Sequence, residues 1–207
     1  MSLLFIFDMD DVLYDYDYRI RMAGLTELTG LTETELRERW WHGNGEWKAE
    51  AGGFDADEYL DAFNSALGTT VSEDHWVRIR ASAMTPLADS IAAVTHAKTL
   101  GTVTLLTNNG ALSARHLSTL APELVEVFGD ELFTSSDYGA RKPDSAVFTA
   151  VLERYGVAPA DAFFADDLQV NVDGAASIGI TAHLFTDAAS LVAAIDGFAR
   201  THQYPGK

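Results

Sequence analysis

Leu3-Leu4-Phe5-Ile6-Phe7-Asp8-Met9-Asp10-Asp11-Val12-Leu13 decides how the rest of the chain reads. An unbroken apolar run of strand formers stops at three carboxylates, Asp8, Asp10 and Asp11, within four positions. A short run without alternation is the pattern of a strand buried on both faces, as in parallel sheets covered by helices. Carboxylates are costly to bury, so the three belong at or beyond the strand's carboxyl end, where open α/β sheets place ligand crevices. Anions this close repel one another unless a positive charge sits among them. A hard divalent cation with oxygen ligands, Mg²⁺ above all, is the expected counter-charge.

Working outward, the totals exclude several classes. The 207 residues suffice for one large domain or a domain with an insertion. With 47% apolar and 22% charged residues, the composition is that of a globular protein rather than a disordered or fibrous one. A formal charge of −17 argues against nucleic acid or an anionic membrane as partner. The absence of cysteine rules out disulfides, thiolate metal sites and a cysteine nucleophile. The first apolar run has no basic leader and is followed directly by acids, and no stretch approaches the roughly 20 apolar residues of a membrane helix. A soluble cytoplasmic protein, monomer or homodimer, is the expectation.

Along the chain, Tyr14-Asp15-Tyr16-Asp17-Tyr18 alternates aromatic and acidic residues and fits a short hairpin or a flap over the strand end. From Tyr18 to Arg80 the pattern is helical. A capping box at Thr32–Glu35 leads a helix burying Leu36, Trp40 and Trp41; a helix from Asp55 to Leu67 buries Tyr59, Leu60 and Phe63; Ser72 starts another through Trp76. Beyond Thr85-Pro86, helices and strands alternate. Strands are expected at Val103–Leu106, Leu132–Thr134, Ala162–Ala165 and Ile180–Leu184, making five with the first. A continuous helix is expected from Gly110 to Leu120, and Asp144, Gly156 and Asp187 read as helix caps. The tail after Arg200 is expected to fray. The predicted fold is therefore α/β, a Rossmann-like parallel sheet flanked by helices (1–14 and 85–207) with a small all-helical cap inserted at 15–84.

Three predicted strands end in polar clusters: Asp8/Asp10/Asp11, Thr107-Asn108-Asn109 and Asp166-Asp167. The basic pair Arg141-Lys142 lies in a loop between the last two. Each alone has an ordinary reading: a turn, a helix cap, a surface lysine. In a parallel sheet all strand C-ends share one edge, so the four can converge.

Taken together, these residues resemble the haloacid dehalogenase-like hydrolases. Asp8-Met9-Asp10-Asp11-Val12-Leu13 is similar to that family's first motif, Thr107-Asn108 to its second and Lys142-Pro143 to its third. Asp166-Asp167 with Asn171-Val172 and Gly174-Ala175 is similar to its fourth. The resemblance implies that Asp8 is the nucleophile attacking phosphorus and Asp10 the general acid and base. It implies Mg²⁺ held by Asp8, the Asp10 carbonyl and the Asp166/Asp167 pair, with Asp167 favoured as direct ligand and Asp166 as support. Thr107, the Asn108 N–H and Lys142 would bind the phosphoryl oxygens, and Asn171 would orient the metal's outer shell. The family's dehalogenases lack an aspartate at the position of Asp10, because halide needs no general acid, so phosphate ester hydrolysis is preferred. One departure is Asp11, where the family's phosphatases commonly have glycine.

The expected function is a Mg²⁺-dependent phosphatase acting on a small phosphorylated metabolite, a sugar phosphate or nucleotide. The alternatives are a phosphomutase of the β-phosphoglucomutase type and a catalytically idle relative that binds a phospho-ligand or protein. In the cap, Trp40 and Trp76 are expected to pack a small bundle. Trp41, His42 and Trp47 stand between packing and a ligand surface.

Overall fold

In the computed structural model, which describes residues 3–203, the opening run forms β1 (Leu4–Phe7), buried on both faces. The chain then crosses into the insertion through β2 (Tyr14–Tyr16) and returns through β3 (Met84–Pro86), which pair antiparallel. The alternating aromatic and acidic piece thus becomes one half of a two-stranded ribbon at the root of an otherwise helical cap.

Five helices fill the insertion: α1 (Tyr18–Thr29), α2 (Glu33–Leu36), α3 (Gly45–Glu50), α4 (Ala56–Leu67) and α5 (Glu73–Ser82). Side-chain caps from Asp17, Thr32, Asp55 and Ser72 satisfy N–H groups that the first turns of four of them leave unpaired. Behind α2 the chain winds into a π-turn over Arg37–Trp41, closed by the His42 N–H on the Arg37 carbonyl at 2.8 Å. The two adjacent tryptophans end up in different surroundings. Trp40 goes into the core against Tyr59 (ring centroids 5.3 Å apart) and Phe63 (5.2 Å), whereas Trp41, expected inside, is only half-buried. Trp76 is buried as well. Such edge-to-face pairs add about 0.5–1.5 kcal/mol each beyond area burial.

The second half supplies α6 (Ala88–Lys98), β4 (Thr102–Leu105), α7 (Ala111–Arg115), α8 (Leu117–Leu120), α9 (Pro122–Phe128), α10 (Ser145–Tyr155), β5 (Ala162–Asp166), α11 (Gln169–Ser177), β6 (Thr181–Leu184) and α12 (Ala188–Gln203). The strands form one parallel sheet of order β4-β1-β5-β6, with Leu4 opposite both Thr102 and Ala162. Because side chains alternate along a strand, Phe5 and Phe7 pack toward α6, α9 and α12, while Leu4 and Ile6 pack toward α10 and α11. At about 1.5–3 kcal/mol per buried side chain, this central strand is the fold's main apolar anchor.

Three further expectations are corrected. The described sheet has four strands, not five: Leu132–Thr134 makes only the isolated bridge Thr107–Thr134. There the Ser135 N–H bonds the Thr107 carbonyl at 2.8 Å, and the Thr134 N–H bonds the Asp137 carboxylate at 2.8 Å as the chain goes straight into a 3₁₀ turn over Ser135–Tyr138. The helix expected through Leu120 breaks at His116, whose ring turns to Glu73 of the cap. At the C-terminus the chain is helical beyond Arg200, because His202 bonds the Ala160 carbonyl at 2.9 Å; residues 204–207 lie outside the described part. The insertion shares its apolar core with the second half of the chain, since Leu112 of α7 and Leu120 of α8 belong to the same cluster as Trp40 and Phe63. No described helix is long and apolar enough to cross a membrane.

Candidate active site

The clusters at the C-terminal edge of the sheet close around one cavity of about 280 Å³, lined by Asp8, Asp10, Asp11, Glu50, Thr107, Asn108, Arg141, Lys142, Asp167, Leu168 and Asn171. A larger groove of about 580 Å³ between α6 and α9 is mainly apolar, with Thr95, Glu123 and Glu126 its polar side chains, and none of the clusters reaches it. The chemistry therefore belongs to the smaller cavity.

Asp8 follows β1 directly, its N–H still in the sheet on the Ala165 carbonyl (3.0 Å). Its Oδ1 is held by the Met9 N–H (2.8 Å) and Lys142 Nζ (2.8 Å). The N–H groups of Val12, Leu13 and Tyr14 all donate to the Met9 carbonyl, a turn that leaves the Asp10 carbonyl unengaged. Asp11 sits at φ 59°, in the left-handed region that favours glycine. Aspartate tolerates that conformation better than most residues, and the Asp11 carboxylate reaches the Tyr16 N–H at 3.2 Å.

Lys142 is buried and spans two carboxylates, Asp8 and Asp166 (2.6 Å). Burial alone would lower its pKa, but Asp8 and Asp166 hold it above the ordinary range, so it stays an ammonium. Its backbone is clamped by the Asn108 side chain, which accepts from the Lys142 N–H (2.9 Å) and donates to its carbonyl (3.0 Å). The peptide from Lys142 to Pro143 is cis. Gly174 lets α11 lie against this loop, since a Cβ there would come within 2.4 Å of the Pro143 carbonyl oxygen. Thr107 is buried and accepts from Asn109 Nδ2 at 2.9 Å.

Asp166 ends β5 and is saturated: Lys142 holds Oδ2, the Leu168 N–H holds Oδ1 at 2.9 Å, and Asn171 Nδ2 reaches both oxygens. Burial would raise its pKa, but Lys142 outweighs it and keeps the group low. Asp167 takes no such side-chain partner; burial, then Asp166 and Asp11, push it up to about 6. Burial likewise drives Asp8 well above the ordinary carboxylate range, against the pull of Lys142.

Carboxylate oxygens of Asp8, Asp166 and Asp167 lie within 4.8 Å of one another. Three carboxylates against the one ammonium of Lys142 leave a formal charge of minus two. An all-oxygen donor set with that residual charge fits a hard divalent cation such as Mg²⁺.

Three residues escaped the sequence reading. Arg80, at the end of α5, is buried and donates from Nη2 to both oxygens of Asp10, at 2.8 and 2.6 Å, with its guanidinium 3.9 Å from the Tyr16 ring centroid. The available signal was its place one turn after Trp76, on the inward face of α5. Arg21 is buried beside Glu46 and bonds the Tyr16 hydroxyl at 3.2 Å. Glu50 lines the cavity from the cap, and burial, then Glu46, push it up to about 7. Of the cap aromatics in question, Trp41, His42 and Trp47 line a separate cleft with Tyr18 and Arg37, outside the catalytic cavity.

A parallel sheet carrying the Asp8–Asp11 loop, a buried lysine and an acidic pair on one edge, under an inserted helical cap, defines a class of hydrolase. The chain belongs to the haloacid dehalogenase-like hydrolases, whose family description matches residues 3–179. It is 32% identical over 191 residues, 86% of this chain and 85% of the relative, to phosphatase MT3486 of Mycobacterium tuberculosis (strain CDC 1551 / Oshkosh). Its fold is shared by the HAD family enzyme bt-2542 of Bacteroides thetaiotaomicron, solved with magnesium and inorganic phosphate (TM-score 0.76, 19% identity, 90% of this chain and 95% of the other). It is shared also by a HAD-like family hydrolase from Porphyromonas gingivalis (TM-score 0.80, 17% identity, 97% and 98%).

Proposed function

We propose that the protein is a Mg²⁺-dependent phosphatase that hydrolyses a small phosphorylated metabolite through an aspartyl-phosphate. The observation that carries this reading is the fixed array of Asp8, Lys142 and Asp166, with Asp10 beside it on the same turn. An Asp8 carboxylate oxygen attacks phosphorus, the bond from phosphorus to the ester oxygen breaks, and Asp10 supplies the proton that the leaving alkoxide takes. Asp10 then takes a proton from water as its oxygen attacks the phosphorus of the aspartyl-phosphate. The bond between Asp8 and phosphorus breaks, and both inorganic phosphate and the free carboxylate are regenerated.

Lys142 neutralises charge on the phosphoryl oxygens while holding Asp8 in place, with Thr107 and the Asn108 N–H as further donors. Asp8, the Asp10 carbonyl and Asp167 would hold Mg²⁺, with Asp166 in support because its own oxygens are already taken by Lys142, Leu168 and Asn171. When bound, the cation would offset the negative charge of this carboxylate cluster and of the phosphoryl group. The phosphatase name of the mycobacterial relative and the phosphate and magnesium bound by the Bacteroides enzyme support the same reading.

The test is phosphate release from p-nitrophenyl phosphate with Mg²⁺, with EDTA and with Asp8→Asn. Release that needs the metal and falls at least about a thousandfold in the variant is expected. A wild type that neither releases phosphate nor forms a beryllium fluoride adduct at Asp8 would point instead to a binding protein. Conversion of a sugar phosphate to its isomer with little free phosphate would point to a mutase.

A further inference from the structure

Ten of the eleven residues around the catalytic cavity come from the sheet edge and its loops; the cap contributes one side chain, Glu50. Glu50 is held firmly there. It ends α3, and its carbonyl accepts from Ser135 Oγ at 2.7 Å. Its carboxylate, only 12% exposed, accepts from Arg141 Nε at 2.5 Å. One residue earlier, Ala49 rests on the turn after Thr107, so close that a Cβ at Gly110 would lie 2.9 Å from it. Trp47, one turn before Glu50 on the same helix, lies over the Arg141 guanidinium at 4.9 Å.

Resting on the phosphatase reading, we propose that Glu50, oriented by Arg141, selects the leaving group, accepting the hydroxyls of a small uncharged alcohol or polyol and turning away leaving groups with a second negative charge. Size is the first argument. The cavity of about 280 Å³, which must also hold the phosphoryl group, lies at the bottom of the range of small-molecule sites and favours a leaving group of a few carbons. Charge is the second. Asp10, Asp11, Asp167 and Glu50 share the wall, while Lys142 already serves Asp8, Asp166 and the phosphoryl group and Arg141 serves Glu50. An additional anion would sit among like charges with no free cation lining the cavity. Chemistry is the third: an ionised carboxylate only accepts hydrogen bonds, and hydroxyls are the donors that satisfy it. Sites built to bond a hydroxyl reject analogues that lack it more strongly than apolar pockets reject a missing methylene.

Two three-carbon esters test this, since glycerol 3-phosphate and 3-phosphoglycerate differ only in a terminal hydroxymethyl group against a carboxylate. At pH about 8, where Glu50 is ionised, the wild type with Mg²⁺ is expected to favour glycerol 3-phosphate in kcat/KM by at least about tenfold. Glu50→Gln should bring that ratio toward one. Arg141→Lys, which keeps a cation beside Glu50 but loses the Nε–H that orients it, should raise KM for glycerol 3-phosphate while still excluding 3-phosphoglycerate. Circular dichroism and melting curves establish that each variant is folded; if Glu50→Gln is not, Arg141→Lys decides. A wild-type preference for 3-phosphoglycerate, a ratio unchanged in Glu50→Gln, or a ratio lost in Arg141→Lys would overturn the assignment. Hydrolysis of p-nitrophenyl phosphate with neither three-carbon ester cleaved overturns the assignment alone. No release from any of the three overturns the phosphatase reading with it.

Discussion

Two surfaces face each other across the catalytic cavity, and they are built differently. On the sheet edge, Asp8, Lys142 and Asp166 are buried and cross-linked, and Asn108 pins the lysine's backbone. On the cap side, contact with the site rests on single side chains: Arg80 on Asp10 and Glu50 on Arg141. The edge has one arrangement available to it, because moving any member leaves a buried charge unpaired. The cap links are pairs between long side chains on separate elements, so each depends on how the insertion packs against the sheet edge.

The largest break in that comparison should come from the edge. Lys142→Ala leaves Asp8 and Asp166 buried without their ammonium. It is expected to lower kcat by at least about a hundredfold and to cost about 3–5 kcal/mol in denaturant unfolding. Trp40→Ala removes the centre of the cap's aromatic cluster without touching the edge. A similar loss of about 3–5 kcal/mol is expected. Because Leu112 and Leu120 share that cluster, a single coincident transition by fluorescence and circular dichroism would show cap and core unfolding as one unit.

Arg80→Lys sharpens the contrast. It keeps a positive charge but loses the planar guanidinium that stacks on Tyr16 while reaching both oxygens of Asp10. A fall in kcat of about tenfold with KM little changed is expected from steady-state kinetics. An unaltered kcat would mean that Asp10 needs no partner from the cap.

The smallest effect is a pH dependence. Burial, then Glu46, raise Glu50 from its ordinary 4.5 up to about 7, against the opposing pull of Arg141 and Lys142. Folding therefore takes up a proton at Glu50 between those values. Its contribution to stability is fully present below 4.5 and is lost as pH rises through 7. Glu50→Gln should remove this slope, at most about 1.4 kcal/mol per pH unit, from the wild-type stability curve measured by urea titration. Identical slopes in the two proteins would mean that Glu50 titrates normally.

Most of the edge was legible in the amino-acid sequence. Asp8, Asp10, Thr107, Asn108, Lys142 and Asp167 all line one cavity, and Asp166 lies directly behind Lys142. Each is tied to a strand end or the loop beside it, and a parallel sheet fixes where strand ends go. The cap was legible only as helices. A capping box and apolar spacing marked α2, α4 and α5, but the π-turn over Arg37–Trp41 has no local signature, and the spacing that puts Arg80 on the inward face of α5 does not say that it meets Asp10. The missing fifth strand has the same origin. Leu132–Thr134 carries strand-forming residues, but the chain goes into the 3₁₀ turn over Ser135–Tyr138 directly after a single bridge.

By itself, the sequence determined the sheet, its polar edge and the family, because β1 must be buried and its carboxylates cannot be. Which cap side chains meet those carboxylates was decided only by the tertiary structure. Arg80 finds Asp10 across 70 residues of chain, and Arg141 finds Glu50 across 91. Ion pairs of that span depend on how two bodies dock, and docking is set by the summed packing of α3, α4 and α5 against the core rather than by any short stretch of residues.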